Sequence, residues 1–258
     1  MQTIVINNQK GGVGKTLLAV HIAWFLAELR ASVLFIDLDG QGNSSTVLKD
    51  ERRGGYAADL FETGKLDPLT PEPGITILAS DGRLDAVERP GAEIMIPQFA
   101  KIAEGFDYCV VDTPPAWGWR NFAAMAVCDH LLAPVELKDF AISGVGQLIQ
   151  SMKQVQQMGR GGRAINFLGL LASRFNSHSR REKENLQTLL NEFGEKMMFP
   201  GVITTRDGYE QAMSDAVPVW KIKTSGATVA GAEIRKVLAT VRERITPPTT
   251  PQAEAGAV

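Results

Sequence analysis

Residues 9–16 constrain the fold of this chain more than any other stretch of its sequence. They read Gln-Lys-Gly-Gly-Val-Gly-Lys-Thr and lie between a β-branched apolar run, residues 3–6, and a helix-forming run, residues 17–29. A strand, a glycine-rich turn and a helix N-terminus in this order predict a phosphate-binding loop. The glycines let backbone N–H groups converge on phosphate oxygens, and the helix dipole adds positive charge there.

Two side chains of this loop carry predicted roles. Lys15 is expected to reach the β- and γ-phosphates of a nucleotide, and the hydroxyl of Thr16 to bind Mg²⁺. The strict pattern begins with glycine, whereas this loop begins with Gln9 and has a second lysine, Lys10. An ordinary glycine-rich turn is the alternative interpretation. We therefore predict nucleotide contacts from Lys10, Gly11, Gly12, Val13, Gly14, Lys15, Thr16 and Leu17.

The order of the predicted elements indicates the fold class. Strands are predicted at residues 33–36, 75–78, 108–111, 131–135 and 167–171, and helices at residues 90–104, 143–158, 180–193, 207–215 and 228–245. Regular alternation favours an α/β fold, a doubly wound and mostly parallel sheet flanked by helices on both faces, as in P-loop NTPases. We predict one domain over residues 1–245 and a disordered tail, rich in Pro, Thr and Ala, over residues 246–258.

Three aspartates follow predicted strands, where parallel sheets bind ligands. Asp112 closes one strand and has the position of an aspartate that holds Mg²⁺ directly or through water. Asp37 and Asp39 close another strand, and alternate residues of an extended segment point the same way. One of these two carboxylates could position the attacking water while the other supports the Mg²⁺ shell. The alternative is that they cap a helix or form a turn.

Composition bounds the location and the partners. No apolar run reaches the roughly 18 residues of a membrane span, and the N-terminus lacks the pattern of a signal peptide. Cys109 and Cys128 are the only cysteines, so we expect a reduced, cytoplasmic protein.

Residues 1–150 hold 12 basic and 19 acidic residues, whereas residues 151–245 hold 15 basic and 9 acidic. This asymmetry favours a polyanionic partner, with an unevenly charged, solvated surface as the alternative.

Several motifs together resemble the ParA/MinD family of deviant Walker A ATPases. Residues 10–16 are similar to its two-lysine P-loop, residues 37–43 (Asp-Leu-Asp-Gly-Gln-Gly-Asn) to its second motif, and residues 112–115 (Asp-Thr-Pro-Pro) to its Walker B region. Residues 133–136 are similar to the strand end that follows. Residues 217–223 resemble the short, IncC-like ParA-type plasmid partition ATPases. The likeness covers residues 1 to about 245.

The resemblance implies a weak, Mg²⁺-dependent ATPase that is switched by dimerisation. Two subunits would enclose two ATP molecules, with Lys10 contacting the partner's phosphates. Asp39 would serve the attacking water, Asp37 and Asp112 would serve Mg²⁺, and Arg206 would lie near the base. The ATP-bound homodimer would bind double-stranded DNA without sequence preference, as a nucleoid-associated protein that does not bind membranes. A ParB-like centromere-binding protein would stimulate hydrolysis and so drive DNA segregation.

Departures from the family pattern leave rival functions open. Gly40 replaces the usual proline and is expected to loosen the loop that carries Asp39, so a nucleotide-switched scaffold with little turnover remains an alternative. Residues 203–206 lack the proline of the family's adenine-side segment. A MinD-like membrane-associated positioning ATPase is a second alternative, although the composition of residues 246–258 does not predict its terminal amphipathic helix.

Phosphate contacts with DNA require clustered lysine and arginine side chains. The second half of the chain offers three groups of them. The predicted DNA-binding residues are Arg174, Arg180, Arg181, Lys221, Lys223, Arg235 and Lys236. Scattered charge on helix surfaces is the alternative interpretation.

Overall fold

The fold is centred on one parallel β-sheet. In a computed structural model of the chain, which describes residues 1–138, 142–158, 160 and 163–246, the sheet has eight strands in the order β3-β4-β2-β5-β1-β6-β7-β8, and every neighbouring pair is parallel. The strands are β1 (Gln2–Ile6), β2 (Ser32–Asp37), β3 (Arg52–Tyr56), β4 (Gly74–Ala79), β5 (Tyr108–Asp112), β6 (His130–Glu136), β7 (Asn166–Phe175) and β8 (Met198–Thr204).

Helices cover both faces of this sheet. They are α1 (Lys15–Glu28), α2 (Asn43–Val47), α3 (Arg89–Ile102), α4 (Trp119–Val127), α5 (Ile142–Gln157), α6 (Arg180–Phe193), α7 (Asp207–Asp215) and α8 (Ser225–Ile245). Apolar residues of α1, α7 and α8 form one core with one face of the sheet, and those of α3 to α6 form a second core with the other face. The predicted α/β fold class is therefore confirmed.

The central strands explain why the sheet is buried. Most residues of β1, β2, β5 and β6 are apolar and enclosed by helices on both sides, as near-continuous apolar runs predict for a parallel sheet. The register pairs Ile6 with Asp112 and Asp112 with Asp37. Because these strands run the same way, the P-loop and both carboxylates lie where the carboxyl ends of the strands meet. We call this end of the strands the carboxyl edge of the sheet, as distinct from an edge strand.

The strand β3 and the helix α4 were not predicted from the sequence. The strand β3 reads Arg-Arg-Gly-Gly-Tyr, a composition with weak strand preference, and it pairs only with β4 at the edge of the sheet. The helix α4 is short, and it packs through its alanines and methionine in the second core. In both cases tertiary pairing outweighs local preference.

The described part of the chain ends just after its last helix. The helix α8 ends at Ile245, and Thr246 caps it. The predicted disordered tail lies, apart from Thr246, outside the described residues, so it stays a prediction together with the single domain over residues 1–245. Among the helices of the described part, none combines the length and the apolar character that crossing a membrane requires.

Candidate nucleotide-binding site

The loop between β1 and α1 adopts a conformation that depends on glycine. Gly12 and Gly14 have φ values of 74° and 88°, in the left-handed region that side chains disfavour. A Cβ atom at Gly14 would lie 2.8 Å from Oγ of Ser173 on β7, too close for a real contact. The backbone of the loop therefore passes close to β7, two strands away from β1, and enters α1 directly.

Lys15 lies at the centre of this loop. Its side chain is largely buried, and its Nζ donates a hydrogen bond to the carbonyl oxygen of Lys10 (2.9 Å). Burial lowers the pKa of Lys15, while the nearby charges of Asp112 and Asp39 oppose that shift. An ammonium group with few protein partners in a concave loop is suited to binding phosphate oxygens.

Lys10 has a different environment from Lys15. Its side chain is 42% exposed, and its Nζ lies 3.4 Å from Oε2 of Glu136 at the end of β6. The loop opens into a cavity, described below, that Lys15 lines and Lys10 does not. The loop thus directs one lysine into its own cavity and the other towards the surface.

Asp112 and Asp37 form a buried pair of carboxylates beside the loop. Oδ2 of Asp112 accepts a hydrogen bond from Oγ of Ser44 (2.7 Å), while its Oδ1 is buried and has no hydrogen-bond partner among the described residues. Asp37 accepts hydrogen bonds from the backbone N–H of Asp39 and from the N–H and hydroxyl of Ser45. Burial raises the pKa of both carboxyls, and their mutual repulsion adds to the shift for Asp112.

This donor set suits a divalent cation. An orphaned buried carboxylate oxygen is costly unless a cation or water satisfies it, and Mg²⁺ prefers carboxylate and hydroxyl oxygens. The Oδ1 of Asp112 is available for this purpose, and the assignment of Asp112 to the metal stays a prediction. Both oxygens of Asp37 already accept backbone or hydroxyl protons, so its assignment to the metal stays a prediction, as does that of Thr16.

Asp39 lies on the loop that follows β2. It is among the residues that line the cavity, and its Oδ1 accepts a hydrogen bond from the N–H of Gln41 (3.1 Å). Its own carbonyl oxygen accepts a hydrogen bond from the hydroxyl of Ser80 (2.6 Å). The loop that carries Asp39 is therefore tied to the end of β4 although Gly40 replaces a proline.

The loop opens into a cavity of about 600 Å³ at the carboxyl edge. At one end lie Gly11, Gly12, Gly14, Lys15, Thr16 and Leu17. At the other end lie Ile203 and Thr204, which end β8, then Thr205 and Arg206, and Tyr209, Glu210, Met213 and Ser214 of α7. The structure thus brings together the predicted nucleotide contacts of the P-loop and Arg206, except for Lys10 and Val13, which do not line the cavity. Val13 is buried beneath the loop.

The predicted DNA-binding residues fall into separate groups. Arg174 lines the cavity, and its Nε lies 4.0 Å from Oε1 of Glu136. Arg180 and Arg181 begin α6 and are exposed. The remaining four lie in or just after a short 3₁₀ turn, Lys221 and Lys223, or on α8, Arg235 and Lys236. Arg235 stacks on Trp220 and pairs with Glu28. Their contact with DNA stays a prediction.

Sequence reasoning missed several residues that shape the site. Ser44 and Ser45 hold Asp112 and Asp37, and they directly follow the second motif, so their position was a usable signal. Tyr209 and Glu233 carried no such signal because they come from α7 and α8, far along the chain from the P-loop.

Comparison with known proteins places this site in a family. The profile of the CobQ/CobB/MinD/ParA nucleotide-binding domain matches residues 4–219. The chain is 35% identical to Protein IncC of Escherichia coli, over 91% of this chain and 67% of that protein. It is 31% identical to the chromosome-partitioning ATPase Soj of Thermus thermophilus, over 77% of this chain and 80% of that protein.

A solved structure shares the fold. An ATP complex of a McdA variant from Cyanothece is similar with a TM-score of 0.79 and 21% sequence identity, over 97% of this chain and 99% of that one. The family profile covers both the P-loop and the carboxylates of the site. The resemblance to ParA-type ATPases is confirmed, and this chain belongs to the CobQ/CobB/MinD/ParA family of nucleotide-binding domains.

Proposed function

We propose that this chain is a ParA-type partition ATPase that binds ATP and Mg²⁺, dimerises in the ATP-bound state and then binds DNA without sequence preference. A ParB-like protein on the partitioned DNA would stimulate hydrolysis and release the ATPase. The similarity to a chromosome-partitioning ATPase and to IncC supports the partition role. The cytoplasmic, nucleoid-associated location follows from this proposal.

The placement of the two lysines is the observation that carries the proposal. The cavity already contains Lys15 and the glycines needed to hold phosphates, whereas the side chain of Lys10 is half exposed and outside it. A lysine that leaves its own site is available to phosphates held by a second copy of the chain. Such a donor, delivered across an interface, couples dimerisation to stabilisation of the γ-phosphate, as an arginine finger does.

The remaining residues divide the chemistry among them. A bound Mg²⁺ neutralises phosphate charge, and Asp112, with Asp37 and Thr16, would hold it. Lys15 binds the phosphates inside the loop. Asp39 lines the cavity, and its carboxylate can orient and polarise the attacking water.

DNA binding in different nucleotide states tests the proposal. Binding is measured with ADP, ATP and a non-hydrolysable ATP analogue, on two unrelated duplexes and at two salt concentrations. We expect binding to both duplexes with ATP or the analogue only, and a loss of affinity of about tenfold or more when salt rises from 50 to 200 mM. Absence of DNA binding in every nucleotide state overturns the partition role.

A single substitution tests the role of Lys10. We expect Lys10→Ala to leave ATP affinity within about threefold of the wild type, because Lys10 lies outside the cavity, and to abolish the dimer seen by light scattering with the ATP analogue. Lys49→Ala, which removes another exposed lysine, is the matched control and should still dimerise. A dimer that persists in Lys10→Ala contradicts the proposed contact across the interface.

Turnover separates this proposal from a nucleotide-switched scaffold. Gly40 is the feature that favours the scaffold, because glycine leaves the loop of Asp39 freer than proline does. The steady-state release of phosphate with ATP, Mg²⁺ and DNA decides between them. We expect slow turnover that depends on Mg²⁺, whereas a rate equal to that of Asp39→Ala would favour the scaffold.

A further inference from the structure

The last two residues of β8 and the two that follow them form the end of the cavity opposite the P-loop. Ile203, Thr204, Thr205 and Arg206 line this end, and the P-loop follows β1, which is separated from β8 by β6 and β7. Three strand spacings amount to about 14 Å. With phosphates at the P-loop, this far end is where the nucleoside part of a nucleotide would lie.

One carboxylate on α8 holds this far end in place. Oε1 of Glu233 accepts a hydrogen bond from the backbone N–H of Thr204 (2.8 Å), and its Oε2 accepts one from the hydroxyl of Thr204 (2.8 Å). Oε2 also lies 3.8 Å from Nε of Arg206. The side chain of Glu233 is 17% exposed, so these contacts form in a partly dehydrated environment.

Glu233 also contacts α7. The hydroxyl of Tyr209 lies 2.9 Å from Oε1 of Glu233 and 3.0 Å from the carbonyl oxygen of Ala230, both on α8. Burial raises the pKa of Tyr209, and the charge of Glu233 adds to the shift, so the phenol stays protonated and donates. Tyr209 is itself a lining residue of the cavity.

The choice of partners argues for a role beyond packing. Thr204, Arg206 and Tyr209 are the residues that Glu233 contacts through its carboxylate in the described part of the chain, and all three line the cavity. Burying a carboxylate is costly, and an apolar side chain would pack α8 against β8 without that cost. Glu233 instead fixes one backbone N–H and three side chains around a ligand site.

We propose that Glu233 is a positioning residue for the nucleoside part of the bound nucleotide. By holding Thr204, Arg206 and Tyr209 in one arrangement before the ligand arrives, it removes an ordering cost from nucleoside binding and leaves phosphate binding unaffected. This inference rests on the proposed ATP binding and adds to it a contribution from α8.

The test compares a ligand that has a nucleoside with one that lacks it. Calorimetric titrations with ATP and with inorganic triphosphate, each with Mg²⁺, are made on the wild type and on Glu233→Ala, Glu233→Gln and Thr204→Val. Glu243→Ala is the matched control, because Glu243 lies on the same helix, is exposed and contacts no charged partner within the described residues. Circular dichroism establishes which variants fold.

We expect Glu233→Ala to weaken ATP binding about tenfold and Thr204→Val about threefold, while triphosphate affinity stays within about twofold. Glu233→Gln keeps one acceptor oxygen, so its ATP affinity should lie between those of the wild type and Glu233→Ala. If Glu233→Ala does not fold, Glu233→Gln and Thr204→Val decide by the same ratio. Equal losses for both ligands, or unchanged ATP affinity in folded variants, overturn the role of Glu233. A wild type that binds neither ligand overturns the proposed nucleotide binding itself.

Discussion

At the scale of single residues, the strongest feature of the site is a pair of carboxylates that the fold keeps out of water. Asp37 and Asp112 are paired in register on neighbouring strands and are buried. Two like charges this close favour protonation unless a cation lies between or beside them. The free energy of unfolding should therefore fall as these carboxyls ionise, and a bound metal should oppose that fall.

The pH dependence of stability tests this pair. The pKa of folded Asp112 is raised above the ordinary 3.8, so the folded state binds the proton more tightly, and its contribution to stability is lost as pH rises through the raised pKa. We therefore expect the free energy of unfolding of Asp112→Asn, measured in urea without metal, to rise relative to that of the wild type. The rise should amount to about 1–3 kcal/mol as pH increases from about 5 to about 8.

The matched control is Asp50→Asn, because Asp50 is exposed. The extra stability of Asp112→Asn should disappear when Mg²⁺ and the ATP analogue are present. Only the wild type retains the carboxylate that binds the metal, so only the wild type is stabilised by it. Parallel pH profiles for the wild type and Asp112→Asn would show that Asp112 does not titrate as described.

Asp39 is predicted to act in hydrolysis and not in binding. We expect Asp39→Ala to reduce the hydrolysis rate about 100-fold or more, the typical contribution of general acid–base groups, with ATP affinity within about threefold of the wild type. Asp50→Ala is the exposed control. Single-turnover phosphate release measures the rate, and a loss confined to ATP affinity would assign Asp39 to binding.

At the scale of elements, α8 approaches its neighbours very closely. A Cβ atom at Gly208 of α7 would lie 2.7 Å from Cα of Ala227 on α8, and the contact is with backbone, which cannot move aside cheaply. This close crossing brings Glu233 within reach of the segment after β8. The position of α8 and the shape of the cavity are therefore determined together.

A glycine substitution tests this crossing. Gly208→Ala should destabilise the protein by about 1–3 kcal/mol, because the added methyl group overpacks the contact between the two helices. Gly226→Ala on α8 is the control, because a Cβ there meets nothing within 4 Å, and it should be neutral or slightly stabilising. Urea unfolding measures both changes, and equal stability of the two variants would contradict the close packing.

At the scale of the whole molecule, the basic residues of the second half lie in separate places. Arg180 and Arg181 begin α6, which packs on one face of the sheet, whereas Lys236 lies on α8, on the other face. Arg174 lies in the cavity and Arg235 is paired with Glu28. Lys223 and Lys236 are exposed and have no ion pair within the described residues, which makes them the first residues to test.

We expect the double variant Lys223→Ala, Lys236→Ala to bind DNA about tenfold more weakly in the ATP state and to lower the slope of log K against log salt by about 2. ATP affinity should be unchanged, because neither residue lines the cavity. Lys49→Ala, Lys101→Ala removes two exposed lysines from the acidic half and is the control. Equal losses in the two double variants would indicate a general charge effect without a local DNA contact.

The P-loop, the carboxylates beside it and the fold class could be predicted from the sequence. The reason is that these features are local: a strand, a turn and a helix start within 16 residues, and Asp37 and Asp112 directly end apolar strands. Parallel strands then bring such residues to one edge whatever their order in the sheet. The residues of the P-loop could therefore be predicted without knowledge of long-range contacts.

The far end of the cavity, the edge strand β3 and the direction of Lys10 could not be predicted in this way. The strand order placed β8 at the far end of the cavity, and only there do Tyr209 and Glu233 meet Thr204. The edge strand β3 exists because β4 offers it a partner, despite its two glycines. The direction of Lys10, out of the cavity and towards Glu136, depends on where β6 ends. Each of these outcomes depends on contacts between residues distant in the chain, and local sequence preferences do not encode such contacts.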